Sequence, residues 1–144
     1  MTDHVATAEV QIDGTAEQVW NALTDPEQIK KYMFGSQVVT DWEEGSAIVW
    51  KGEYQGKRYM DKGEILEVEP PRRLKVTHFS PLSGDEDLPA NYHTLLYELR
   101  EEGGRTRLSL SQSNNATEEE AEHSKGNWEQ MLAGLKGVVE EQPA

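Results

Sequence analysis

The chain has 144 residues, 35% hydrophobic and 28% charged, a length that suits one domain spanning 1–144. Four Trp, five Tyr and two Phe supply enough large side chains for a core, which excludes wholesale disorder. The net charge of -13 disfavours nucleic acid and anionic membrane surfaces, and the absence of Cys excludes disulfides, thiolate metal sites and Cys nucleophiles. Residues 5 to 13 alternate small or apolar with polar side chains, so Val10 and Ile12 share one face of a first strand that Gly14 ends. Thr15 is placed to cap a short helix containing Val19, Trp20 and Leu23. Asp25-Pro26 starts a second short helix, roughly Glu27 to Met33, with Pro26 at its first position and Gly35 after it.

Beyond Gly35 the apolar period changes to two. Val38 and Val39 begin a strand that closes at Asp41-Trp42, and 43–46 make a turn. The spacing predicts strands over 47–54, with Ile48 and Trp50 on one face, and 58–69, joined by a hairpin at Gln55-Gly56-Lys57. Pro70-Pro71 interrupts the ladder. Leu74, Val76 and His78 share a face of the next strand. A polar loop over 80–91 leads to a strand over 92–101 carrying His93, Leu95, Tyr97 and Leu99 on one face. Gly103-Gly104 turns the chain into a strand over 105–113, where Leu108, Leu110 and Gln112 align. Thr117 and Glu120 form a capping-box pattern before a helix predicted to reach about Glu140. Its apolar stripe is Trp128, Met131, Leu132, Leu135, Val138 and Val139. Gly126, Gly134 and Gly137 lower its propensity by about 1 kcal/mol each and are expected to let it lie close to a sheet.

One strand, two short helices, about six hairpin-linked strands and one long helix indicate an α+β fold with an antiparallel sheet. If that sheet curves around the helix, the space between them is the natural ligand site.

The ordered fragments Val19-Trp20-Asn21-Ala22-Leu23-Thr24-Asp25-Pro26-Glu27, Asp41-Trp42-Glu43-Glu44-Gly45-Ser46 and Trp50-Lys51-Gly52-Glu53-Tyr54-Gln55-Gly56-Lys57 resemble the family of activator-of-Hsp90-ATPase homologues. So do Asp61-Lys62-Gly63-Glu64-Ile65-Leu66, Glu69-Pro70-Pro71-Arg72-Arg73-Leu74 and the closing Trp128, Leu132 and Leu135. That family lies within the START-like helix-grip superfamily, which includes the birch pollen allergen. The resemblance implies a curved antiparallel sheet of about seven strands gripping the C-terminal helix, with a cavity between them. It leaves function open, because the superfamily hosts lipid carriers, receptors, cyclases, hydrolases and chaperone regulators. The eukaryotic chaperone activators carry an additional N-terminal domain, for which 144 residues leave no room.

The cavity candidates are Tyr32, Trp50, Met60, Val76, His78, His93, Leu95, Tyr97, Leu110, Gln112, Trp128 and Leu132. His78 and His93 are the polar members of interest: each sits on a face otherwise made of core side chains, where an imidazole hydrogen-bonds a ligand head group, shuttles a proton, or is a structural rim residue. Buried Gln112 needs a partner and would orient a ligand or cap a loop. Catalytic residues are not assigned. Ser109, Ser111 and Ser113 lack a His and Asp set, and Gly103-Gly104 is a turn rather than a phosphate loop. A metal site would need a third ligand, but Glu98 falls on the face opposite His93 and His123 lies ~140° from Trp128 around the helix. No metal or cofactor is therefore expected. With no membrane-length apolar run and no signal-peptide pattern in MTDHVATAEV, a cytoplasmic monomer or homodimer is expected. The leading function is binding of a small hydrophobic molecule. The alternatives are a chaperone- or ATPase-regulating interaction module and a small hydrolase or cyclase.

Overall fold

The computed structural model describes residues 4–33, 35–54, 56–80, 86–115 and 117–141. Among these, seven strands form one antiparallel sheet: β1 (His4–Ile12), β2 (Gln37–Val39), β3 (Ala47–Tyr54), β4 (Lys57–Glu69), β5 (Arg73–His78), β6 (His93–Glu102) and β7 (Arg105–Asn115). Two short helices, α1 (Ala16–Thr24) and α2 (Pro26–Tyr32), follow β1, and α3 (Glu118–Glu140) follows β7. Gln55 of the expected hairpin turn and 81–85 of the expected loop lie outside the described residues.

Local chemistry sets the helix starts. Thr15 accepts from the Gln18 N–H while the Gln18 side chain accepts from the Thr15 N–H at 2.9 Å, a reciprocal capping box. Asp25 caps α2 through the Glu27 N–H, with Pro26 at the first helical position. Thr117 Oγ1 accepts from the Glu120 N–H at 3.0 Å to open α3, whose first turn is acidic as the helix dipole favours.

The strand order is β1-β7-β6-β5-β4-β3-β2, so all steps join sequence neighbours except β1, which pairs with β7. The curved sheet turns one face towards α3, the helix-grip arrangement. Parity places Ala6, Ala8 and Ile12 of β1, Leu74 and Val76 of β5, Leu95, Tyr97 and Leu99 of β6, and Leu108 and Leu110 of β7 on that face, all buried. Met131, Leu132, Leu135 and Val139 of α3 close over them, with Trp128 and Val138 half-buried at the stripe's margins. Val19, Trp20 and Leu23 of α1, with Ile29 and Tyr32 of α2, complete the core.

The glycines of α3 differ from expectation. A Cβ at Gly134 would stand 3.1 Å from Tyr32 Cβ, so this glycine admits α2, not the sheet. Gly126 and Gly137 face open space. No helix among the described residues is long and apolar enough to cross a membrane.

Candidate functional site

Between the inner face of β3 to β6 and the middle of α3 lies a cleft of about 460 Å³. Its apolar wall is Trp50, Leu95 and Tyr97 from the sheet, Met33 at the end of α2, and Trp128 and Met131 from α3. Its polar groups come from both walls: Tyr59, Asp61 and His78 from the sheet, with Ser36 and Ser80 beside it, and Asn127 and Gln130 from α3.

Register delivers this polar cluster. The β3–β4 hairpin pairs Tyr54 with Lys57, which carries Trp50 opposite Asp61 and Gly52 opposite Tyr59. Residues directly opposite one another project from the same face, so Tyr59 and Asp61 follow Trp50 inward. Gly52 makes room here: a Cβ would come within 2.6 Å of Tyr59 Cζ, so the Tyr59 ring in this position lies across the bare glycine. The Tyr59 hydroxyl then meets Ser36 Oγ in a close hydrogen bond.

Across the β4–β5 boundary, His78 Nε2 sits 2.9 Å from Asp61 Oδ2, and the rings of Trp50 and His78 meet edge to face at 5.0 Å. A carboxylate only accepts, so the imidazole donates its Nε2–H. The other carboxylate oxygen, Asp61 Oδ1, is buried and finds no hydrogen-bond partner among the described residues. The far wall is fixed by a second polar set. The Trp128 indole N–H donates to Gln112 Oε1, and the Gln112 amide reaches Asn115 Oδ1 at 3.4 Å. Asn115 in turn donates to the His4 carbonyl at 2.8 Å. Burial pushes the phenols of Tyr32 and Tyr97 well above the ordinary tyrosine range, and Tyr32 donates to the Ala22 carbonyl at 2.7 Å.

With seven strands gripping one C-terminal helix and a cleft between them, comparison with known proteins is informative. The family model described as "Activator of Hsp90 ATPase homolog 1-like protein" matches residues 13–140. The chain belongs to this family. Protein ChR145 from Cytophaga hutchinsonii, solved in solution, is 49% identical over 94% of this chain and 93% of its own, with a TM-score of 0.83. CalU16 from Micromonospora echinospora is 24% identical, covering 98% of this chain and 88% of its own, at a TM-score of 0.69. The Aha1 dimer from Colwellia psychrerythraea is 19% identical over the full length of both chains, at a TM-score of 0.73. The last two share the fold. No match is found among curated proteins.

Within this family fold, five of the twelve sequence-stated candidates line the cleft: Trp50, His78, Leu95, Tyr97 and Trp128. Tyr32, Val76, Leu110 and Leu132 are buried in the surrounding core, and Gln112 stands behind Trp128 as its acceptor. His93 pairs directly with His78, as neighbouring strands require, but it is not among the lining residues and its Nδ1 lies 2.9 Å from the Ser113 carbonyl. Met60 is on the opposite face, 52% exposed, because the register that turns Tyr59 and Asp61 inward turns Met60 out. Asp61, Tyr59 and Ser36 were missed by the sequence reading. The hairpin register held the signal for the first two: once Tyr54 is opposite Lys57, Trp50 is opposite Asp61. Ser36 follows α2 in an irregular segment with no periodic signal.

Chemically, an aromatic and apolar trough ends in an aspartate–histidine pair and a pair of hydroxyls. Such an arrangement has the shape and chemistry to take an apolar body beside a polar head. The Asp61 contact also fixes the orientation of the His78 ring, as proton transfer would need.

Proposed function

We propose that this protein binds a small amphipathic molecule in the cleft between sheet and α3, without being an enzyme. The observation that carries this reading is the cleft itself: about 460 Å³, within the range of small-molecule sites, walled by Trp50, Tyr97, Trp128 and Met131 and holding the Asp61–His78 pair. Burial of ~200 Å² of apolar ligand surface there contributes about 5 kcal/mol before ordering costs. Among the described residues the exposed large apolar side chains, Val5, Val39, Met60 and Leu88, are spread over β1, β2, β4 and the segment before β6, which favours an interior site over a surface one for a chaperone. Native mass spectrometry of freshly purified protein, with titration of the neutral dye Nile red, tests this. A retained small molecule or saturable dye binding that Asn127→Trp weakens at the mouth of the cleft is expected. Absence of both retained mass and saturable binding overturns the reading.

A further inference from the structure

We infer that the head group this cleft selects is a protonated amine, so that its ligands are cationic amphiphiles rather than fatty acids or other anions. The inference rests on the ligand-binding reading above and adds the charge of the ligand.

Three observations carry it. The first is the state of Asp61. One carboxylate oxygen accepts from His78, the other is buried with no partner among the described residues, and the side chain lines the cleft. The Asp61 side chain is only 18% exposed and one of its oxygens has no partner, so its carboxylate is poorly hydrated and a cation seated in the cleft offsets part of that loss. The second is the lack of a permanently charged cation in the lining. No Lys or Arg is among the cleft-lining residues, and none stands at the masked positions. The nearest in sequence, Lys62, is used elsewhere, bridging Asp87. The third is the wall. Trp50, Tyr97 and Trp128 present aromatic rings, which attract a desolvated ammonium through their quadrupoles and offer a carboxylate nothing comparable. Ser36, Tyr59 and Ser80 add hydroxyl oxygens that accept N–H donors. The net charge of -13 draws cations towards the molecule and repels anions, but it acts everywhere on the surface and supplies no site.

The test holds the apolar body constant and changes only the head. Decylammonium, decan-1-ol and decanoate are titrated by calorimetry near neutral pH, below their micelle concentrations and at about 0.15 M salt to screen the surface. Decylammonium is expected to bind about tenfold tighter than decan-1-ol, with decanoate weakest. Asp61→Asn keeps the shape and one acceptor oxygen for His78 but removes the charge. It should abolish the ammonium preference over decan-1-ol and raise decanoate affinity, with an unchanged near-ultraviolet circular dichroism spectrum showing that the fold is intact. If the variant does not fold, the wild-type series is repeated at about 0.5 M salt, where a preference owed to the surface charge is screened away and one owed to Asp61 in the cleft remains. Equal binding of all three heads, or decanoate binding tightest, overturns the inference and leaves the binding cleft standing. An ammonium preference that persists in folded Asp61→Asn overturns it too, since the preference then belongs to the surface charge. Failure of all three ligands to bind overturns this inference, and the proposed function falls with it only where retained mass and saturable Nile red binding are absent as well.

Discussion

Trp128 and Leu132 lie one turn apart on α3 but hold it to the sheet by different means, so truncating them separates two terms. Leu132 is fully buried among core side chains. Leu132→Ala removes three buried carbons and leaves a cavity that helix and sheet cannot close, a loss of about 3–5 kcal/mol. Trp128 is larger yet only half-buried, because one side borders the cleft. Full burial would make Trp128→Ala cost about 3–5 kcal/mol, but the space it leaves opens to the cleft and fills with water instead of remaining an empty cavity. The transfer loss then falls to about 1–2 kcal/mol, and loss of the indole donation to Gln112 adds about 1 kcal/mol, since water can reach the freed amide oxygen. The expected order is Leu132→Ala above Trp128→Ala, at about 2–3 kcal/mol, above Trp128→Phe, at about 1 kcal/mol. Urea melts followed by far-ultraviolet circular dichroism measure all three against wild type, with unchanged m values as the control for two-state behaviour. Trp128→Ala costing as much as Leu132→Ala would mean the cleft closes over the indole in solution. A cost-free Trp128→Phe would refute the Gln112 bond as a stabilising contact.

Other outcomes are expected from the same geometry. Gly126→Ala should raise the thermal midpoint, as its Cβ meets open space in a helix, whereas Gly134→Ala should be neutral or destabilising because Tyr32 stands 3.1 Å away; calorimetric scans of the pair compare them directly. Tyr32 and Tyr97 have folded-state pKa values above the unfolded value, so their contribution is intact below about pH 10 and declines as pH rises beyond it. Tyrosinate absorbance should therefore show these two phenols ionising only with alkaline unfolding, and early titration of all five tyrosines would contradict the burial. Glu140 is held low by the Lys136 ammonium and the Asp13 N–H, so it stabilises above the unfolded carboxylate range and ceases to as pH falls through its folded value. Glu140→Gln should accordingly flatten the acid limb of the stability–pH curve. Moderate salt should raise the midpoint by screening the repulsion of the -13 charge, and a flat response would show that local ion pairs already offset it.

The fold was legible because its signals agree across levels. Thr15, Pro26 and Thr117 mark helix starts by side-chain chemistry alone, and strict alternation in β5, β6 and β7 makes the inner face readable residue by residue. The same alternation became misleading in β4. Its inner face carries Tyr59, Asp61 and Gly63 before Ile65, so a hydrophobicity rule assigns apolar Met60 inward and polar Asp61 outward. The site is where the pattern breaks, as a polar group placed among core side chains for binding must break it. Ser36, Asn127 and Gln130 were illegible for another reason: they reach the cleft from a non-periodic segment and from the exposed border of α3, and only tertiary packing brings them there.

The pairing of β1 with β7 has a consequence for how the chain is made. His4 is opposite Asn115 and Ile12 opposite Thr106, so the first strand cannot enter the sheet until the last has left the ribosome. Until then β2 to β6 can zip as successive hairpins, but Ala6, Ala8 and Ile12 have no strand or helix to cover them. The closing step therefore spans nearly the whole chain, which raises contact order and slows folding relative to the hairpins themselves. A nascent chain stalled before residue 105 should hold a partial sheet with a free, chaperone-accessible N-terminal strand, and release of the remaining residues should protect that strand from protease in one step.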